Sequence, residues 1–99
     1  MNFHALEMEV IRHAEANKLL NGLLYEQAAE VSGRVSDLCD SIAHGTSNED
    51  SEAIGRTVIE LIILCAMLDI DLAKCLEQAF EKISAKPEAP SNVLQLKKD

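Results

Sequence analysis

Residues 23–44, LLYEQAAEVSGRVSDLCDSIAH, carry the clearest structural pattern in the chain. Their apolar side chains recur at steps of four, three, four, three and four residues, which is the spacing of one continuous stripe along an α-helix of about six turns. The stripe consists of Leu24, Ala28, Val31, Val35, Leu38 and Ile42. Acidic residues lie roughly opposite it, at Glu26, Glu30 and Asp37. The pattern therefore predicts a long helix with two faces available for packing.

Three more helices are predicted around this one, at about residues 3–20, 49–68 and 72–85. Apolar and β-branched residues do not alternate with polar ones in the manner of strands, so we expect an all-α fold, a four-helix bundle. Gly33 and Gly55 fall inside helical patterns, where each costs roughly 1 kcal/mol. We attribute both glycines to close approach between helices.

The third helix has a clear start signal and an unusual composition. Thr46 or Ser47 can cap it, because acids follow in its first turn, where the helix dipole favours negative charge. These acids are Glu49, Asp50 and Glu52. After Thr57 the helix is apolar on nearly every side, so we expect it to be buried at the centre of the fold. Asp71 is placed to cap the fourth helix.

The length of 99 residues allows one domain, which we place at residues 1–86. Residues 87–99, PEAPSNVLQLKKD, cannot continue the helix and form a tail or arm whose Val93, Leu94 and Leu96 could dock on a neighbour. The second and third helices carry more apolar surface than four helices can cover. We therefore expect the bundle to be completed by oligomerisation, as a homodimer or tetramer.

Composition excludes several partners and locations. Seventeen acidic against nine basic residues give a net charge of −8, which would repel nucleic acid phosphates. Aromatic residues are only 3% of the chain, too few for a base-stacking surface. The longest apolar run, residues 61–68, is far shorter than the ~20 residues of a membrane span. The odd count of three cysteines favours reduced thiols in a soluble, cytoplasmic protein.

Two stretches resemble the MazG-like, all-α nucleoside triphosphate pyrophosphohydrolases, particularly the short single-domain forms found in phages. The first covers residues 10–42 and includes VIRHAEANKLL and QAAEVSGRVSDLCDSI; the second, EAIGRTVIELIILCAMLDIDLAKCLEQAFEKI, covers residues 52–83. The chain keeps the family's apolar framework, its helix spacing and the turn Asp69-Ile-Asp71-Leu72. The resemblance spans about four fifths of the chain and implies a MazG-like helical fold.

The resemblance also implies a chemistry. In such proteins one helix carries Glu-x-x-Glu and the next carries Glu-x-x-Asp, so that about four carboxylates surround Mg²⁺. The metal binds triphosphate oxygens and activates a water that attacks the α-phosphorus, which releases a nucleoside monophosphate and pyrophosphate. This chain departs from that pattern. The first frame falls on Arg34 and Asp37, and the second falls on Ala53 and Arg56, with Glu52 beside them as a stand-in.

The substitutions argue against a metal site. The charges of Arg34, Asp37, Glu52 and Arg56 sum to zero, where the family's acids would carry about minus four. Guanidinium groups cannot ligate a metal and would repel it. The expectation is therefore a MazG-like pseudoenzyme with no metal and no cofactor, in which these four residues are candidates for nucleotide or phosphate binding.

Two structural interpretations of these charges stay open. Arg34 and Asp37, and likewise Glu52 and Arg56, are spaced for salt bridges within their own helices. Alternatively the two helices face each other, Arg34 meets Glu52 and Asp37 meets Arg56, and the cations neutralise an acidic seam. We favour the seam, because Glu60 interrupts an apolar face where an unpaired acid would be costly.

Three functional interpretations also stay open. The two arginines can form a phosphate clamp that binds nucleotide without metal and without cleavage. The alternative is an active Mg²⁺-dependent pyrophosphohydrolase that tolerates the substitutions, with residual hydrolysis carried by Asp37, Glu52 and Glu30. The third is a module that pairs with an intact relative or with another protein. The sequence leaves open whether the chain is an enzyme.

Overall fold

The computed structural model describes residues 1–85, of which 86% are helical. Four α-helices follow one another as α1 (Phe3–Ala16), α2 (Leu24–His44), α3 (Ser47–Met67) and α4 (Leu72–Ala85), with a 3₁₀ turn, Leu19–Asn21, between the first two. No strand occurs in this part of the chain, so the all-α prediction is confirmed. The predicted tail at 87–99 lies outside the described residues.

The first helix ends four residues earlier than the sequence pattern predicts. Asn17 closes its last turn, with the side-chain amide donating to the carbonyl oxygen of His13 at 2.8 Å. Lys18 then adopts a left-handed conformation with φ of 59°, which cannot continue a right-handed helix. The chain passes through the 3₁₀ turn instead and enters α2 at Leu24.

Helices α2 and α3 form an antiparallel hairpin that positions the candidate site. Thr46 is the N-cap of α3: its side chain accepts from the backbone N–H of Glu49, and the Glu49 carboxylate accepts from the backbone N–H of Thr46. This capping box starts α3 two residues before the predicted boundary. Across the hairpin, the Ser41 hydroxyl donates to Asp50 Oδ1 at 2.5 Å, which ties the two helices near their connection.

The third helix is central, as predicted, since it packs against α1, α2 and the 3₁₀ turn. Its burial is weaker than its composition suggests. Only Ala14, Ile62 and Ile63 are buried apolar residues among residues 1–85, whereas Ile54 on the same helix is 52% exposed. Seventeen large apolar side chains among residues 1–85 are exposed, so packing within this part of the chain leaves them uncovered. No helix in this part is long and apolar enough to cross a membrane.

The prediction that Gly33 and Gly55 permit close helix approach is wrong. Among residues 1–85, no heavy atom of a neighbouring side chain or another element lies within 4 Å of a Cβ atom built at either glycine. Both glycines therefore carry only the conformational entropy cost of glycine within a helix. Gly45, between α2 and α3, is different, because a Cβ there would lie 2.8 Å from the carbonyl oxygen of Ser41.

We expect Gly33→Ala and Gly55→Ala each to raise the free energy of unfolding by roughly 0.5–1 kcal/mol, since alanine restricts the unfolded chain and meets open space in the fold. Gly45→Ala is the matched control and should lower it, because its methyl group collides with backbone. Urea denaturation followed by circular dichroism measures all three. Destabilisation by the two helical substitutions would show that their surroundings are closed.

Candidate functional site: the cleft between α2 and α3

The four predicted site residues line one cleft between α2 and α3. Arg34 and Asp37 project from α2, while Glu52 and Arg56 project from α3, around a cavity of about 200 Å³. The two helices thus face each other at these positions, which is the arrangement that the resemblance implies. Ser41, Glu49 and Ala53 complete the lining. Glu49 was expected from sequence only as a first-turn acid, and its place in the cleft follows from the capping box.

The ion pairs of the cleft differ from the predicted seam. Arg34 Nη1 lies 3.6 Å from Asp37 Oδ2, and Arg56 Nε lies 3.3 Å from Glu52 Oε2, so both pairs are within one helix. The predicted pairs across the cleft, between Arg34 and Glu52 and between Asp37 and Arg56, are not formed by these side chains. Across the cleft, Arg34 instead meets Glu60, while Arg56 is engaged by Glu52 on its own helix.

The contact that does join the two helices centres on Glu60. Its carboxylate is only 16% exposed and lies 3.5 Å from Arg34 Nε. Gln27 Nε2 donates to Glu60 Oε1 at 2.8 Å and to the Glu60 carbonyl oxygen at 3.0 Å. The prediction that Glu60 must be paired is confirmed. The sequence does not predict the hydrogen bonds of Gln27 to Glu60, because a single glutamine on a helix face has no recognisable pattern around it.

The guanidinium of Arg34 keeps unused hydrogen-bonding capacity. Its side chain is 30% exposed, and its two ion-pair contacts, at 3.5 and 3.6 Å, are longer than charge-assisted hydrogen bonds. Its Nε is buried beside Glu60 Oε2, at 3.5 Å, and makes no hydrogen bond within the described chain. The exposed part of the side chain therefore does not include this donor.

The charges around the cleft do not fit the Mg²⁺ that the resemblance implies. Three carboxylates, those of Asp37, Glu49 and Glu52, share the lining with the two guanidinium groups. No three His, Cys, Asp or Glu residues of the described chain come close enough together to hold a metal ion. The cations already neutralise most of the acids that would otherwise attract a divalent ion.

A second, more apolar cavity of about 840 Å³ lies beside the cleft and shares Arg34 with it. Tyr25, Ile59 and Met67 contribute to its walls. Glu30 faces this cavity and not the α2–α3 cleft, so the three acids considered for residual hydrolysis do not line one site.

The three cysteines lie away from the cleft and are unpaired. Burial raises the pKa of the Cys65 thiol, and Cys75, Glu7 and Asp71 raise it further by charge repulsion. A thiol shifted in this direction stays protonated at neutral pH and is a poor nucleophile. Cys65 therefore serves as a small apolar residue in α3.

Comparison with known proteins yields no match to a family model, to a curated protein or to a solved structure. The resemblance to MazG-like proteins accordingly rests on the residues and spacings quoted above.

Proposed function

We propose that the chain is a MazG-like protein whose α2–α3 cleft binds the phosphate groups of a nucleotide directly, through Arg34 and Arg56 and without a metal ion. One observation carries this proposal: Arg34 and Arg56 line the same cleft from facing helices, and the ion-pair contacts of Arg34 there are long. Phosphate oxygens are the acceptors that a guanidinium fork fits best.

The position of Arg56 supports the same role. It lines the same cavity from the opposite helix, and its side chain is 55% exposed. Its ion pair within residues 1–85, with Glu52 on the adjacent turn of α3, is of the kind that contributes only a few tenths of a kcal/mol. A phosphate group can displace such a partner at small cost. Two arginines on facing helices can then hold one phosphate group from both sides.

The remaining side chains of the cleft give the site its selectivity. The acids Asp37, Glu49 and Glu52 repel loosely bound anions, so only a ligand that reaches both guanidinium groups gains enough to enter. No residue of the cleft is assigned a catalytic step, because the carboxylate set that would hold Mg²⁺ and orient a water is interrupted by the arginines. The proposed function is therefore binding without cleavage.

The proposal predicts that removing the Arg56 guanidinium weakens nucleotide binding with little effect on folding. Arg56→Ala should weaken binding of a nucleoside triphosphate by roughly tenfold or more, since a charged hydrogen-bond donor is lost, while unfolding changes by less than ~0.5 kcal/mol. Isothermal titration calorimetry with ATP, GTP, dUTP and dCTP measures this. Arg12→Ala, which removes an exposed arginine on α1, is the control. Equal affinities in all variants would contradict the clamp.

A second candidate function is supported by a different observation, the seventeen exposed large apolar side chains of the described chain. Surfaces of this kind mark protein–protein contacts. Pairing with a second copy, with an intact relative or with another protein would cover them. This candidate does not compete with the clamp, because the cleft is lined mainly by charged side chains.

The enzymatic alternative makes a separate prediction. An active Mg²⁺-dependent pyrophosphohydrolase would release pyrophosphate and a monophosphate in the presence of millimolar Mg²⁺. We expect neither product, because the arginines occupy the positions of the family's acids.

A further inference from the structure

Helix α4 carries an apolar stripe that is half-buried at its first residue and otherwise exposed in the part of the chain that the structure describes. Leu72, Leu76, Ala79 and Ile83 recur at steps of four, three and four residues, and Phe80 lies on one flank. Leu76 is 59% exposed, Phe80 68% and Ile83 52%. An amphipathic helix of this kind gains its stability from packing its stripe against a partner.

The other described helices do not provide that partner. The packing of the protomer is made by α1, α2, α3 and the 3₁₀ turn, and α4 has no comparable interface with any of them. The turn before α4 is well formed: Asp69 has a positive φ of 58°, and Ile70 donates its backbone N–H to the carbonyl oxygen of Cys65. The turn fixes the start of α4 at Leu72, where Asp71 caps it.

We propose that α4 pairs in antiparallel orientation with α4 of a second copy of this chain. A two-fold axis between Glu77 and Gln78 sets Leu76 against the partner's Ala79, and Leu72 against the partner's Ile83. At the centre of the interface each Leu76 then packs against the smaller Ala79 of the partner. At either end, Leu72 packs against the partner's Ile83, so this register uses all four residues of the stripe. The antiparallel arrangement also opposes the two helix dipoles.

Charges on the rim of the stripe are complementary in this arrangement. Asp71 and Lys82 lie on the same side of the stripe at opposite ends of α4, and neither forms an ion pair with another residue of the described chain. Antiparallel pairing brings Lys82 to the partner's Asp71 at both ends of the interface. A parallel pair would leave Lys82 and the partner's Asp71 at opposite ends of the interface, out of reach of each other. Lys74 and Glu81 lie on the opposite side of the helix and face solvent.

The tests exploit this symmetry. The wild-type chain should form dimers in sedimentation equilibrium across micromolar concentrations. Lys82→Glu should weaken the dimer by roughly tenfold, because it sets an acid against the partner's Asp71 twice. Lys74→Glu makes the same charge change on the solvent side and should leave the dissociation constant unchanged. Leu76→Glu should weaken the dimer by about a hundredfold or more.

A charge swap tests the register itself. Asp71→Lys and Lys82→Glu should each impair self-association, whereas an equimolar mixture of the two variants should form a heterodimer with both ion pairs restored. Circular dichroism checks that helix content is retained, above all in Asp71→Lys, which also removes the N-cap of α4.

Three results would overturn the proposal. The first is a wild-type chain that stays monomeric, which would mean that the stripe is covered by residues 86–99 or by another protein. The second is a dimer whose dissociation constant is the same in all the α4 variants, and the third is a mixture that fails to associate. None of these results bears on the phosphate clamp, because α4 contributes no residue to the cleft.

Discussion

Replacing Arg34 with Glu and Arg56 with Asp should lower the free energy of unfolding of the metal-free protein by about 2–4 kcal/mol. The double substitution adds two acids to the cleft, which Asp37, Glu49 and Glu52 already line. It also sets a new carboxylate beside Glu60, at the place where the Arg34 guanidinium now lies 3.5 Å away. Like charges in a partly buried site repel strongly.

Millimolar Mg²⁺ should restore much of this loss, since a cation bound only by the folded state stabilises it by mass action. Thermal unfolding with and without Mg²⁺ measures both effects. Arg12→Glu with Lys74→Asp makes the same change in net charge outside the cleft and is the matched control. A melting temperature that is unchanged by the double substitution would mean that these charges do not interact across the cleft.

A single isosteric change at Gln27 should have the second largest effect. Gln27→Glu sets a carboxylate 2.8 Å from Glu60 Oε1, where an N–H now donates, and should cost about 2–4 kcal/mol at neutral pH. The loss should shrink as the pH falls and one carboxyl of the pair takes up a proton, because the protonated form then donates the missing hydrogen bond.

Two comparisons separate this contact from a general effect of charge. Gln27→Ala removes the donor without adding an acid and should cost less, about 1–2 kcal/mol. Gln78→Glu makes the isosteric change on the exposed surface of α4 and should stay within ~0.5 kcal/mol of wild type. Denaturant titrations at pH 5 and pH 8 test all three variants. Equal effects of Gln27→Glu and Gln78→Glu would show that Glu60 is freely solvated.

The positions of α2 and α3 could be predicted from the sequence, because apolar periodicity and N-terminal capping residues are local features that determine where a helix forms and begins. The apolar stripe of residues 23–44 and the acids after Thr46 place α2 and α3 to within two or three residues. The early end of α1 could not be predicted, since it depends on a left-handed Lys18 that the tertiary turn selects. The prediction of close helix approach at Gly33 and Gly55 was wrong. A glycine in a helical pattern shows that a side chain is missing there, and it does not show that another helix lies nearby.

The site was predictable in its members and less so in its contacts. Helical periodicity and the resemblance together bring Arg34, Asp37, Glu52 and Arg56 to one cleft, and the structure places them there. The ion pairs could not be predicted, because they depend on the side-chain conformations of the arginines in the packed helices. Glu60 lies about two turns beyond Glu52 on α3. Arg34 pairs with Glu60, and Arg56 pairs with Glu52 on its own helix.

The dependence of nucleotide binding on Mg²⁺ tests the central claim most directly. ATP should be titrated into the wild-type chain once with a metal chelator and once with millimolar Mg²⁺, while released pyrophosphate is assayed in the same samples. We predict measurable binding in the chelator, no tighter binding with Mg²⁺, and no pyrophosphate in either sample. Binding that requires Mg²⁺, accompanied by release of pyrophosphate, would contradict the metal-free clamp and establish the chain as a pyrophosphohydrolase.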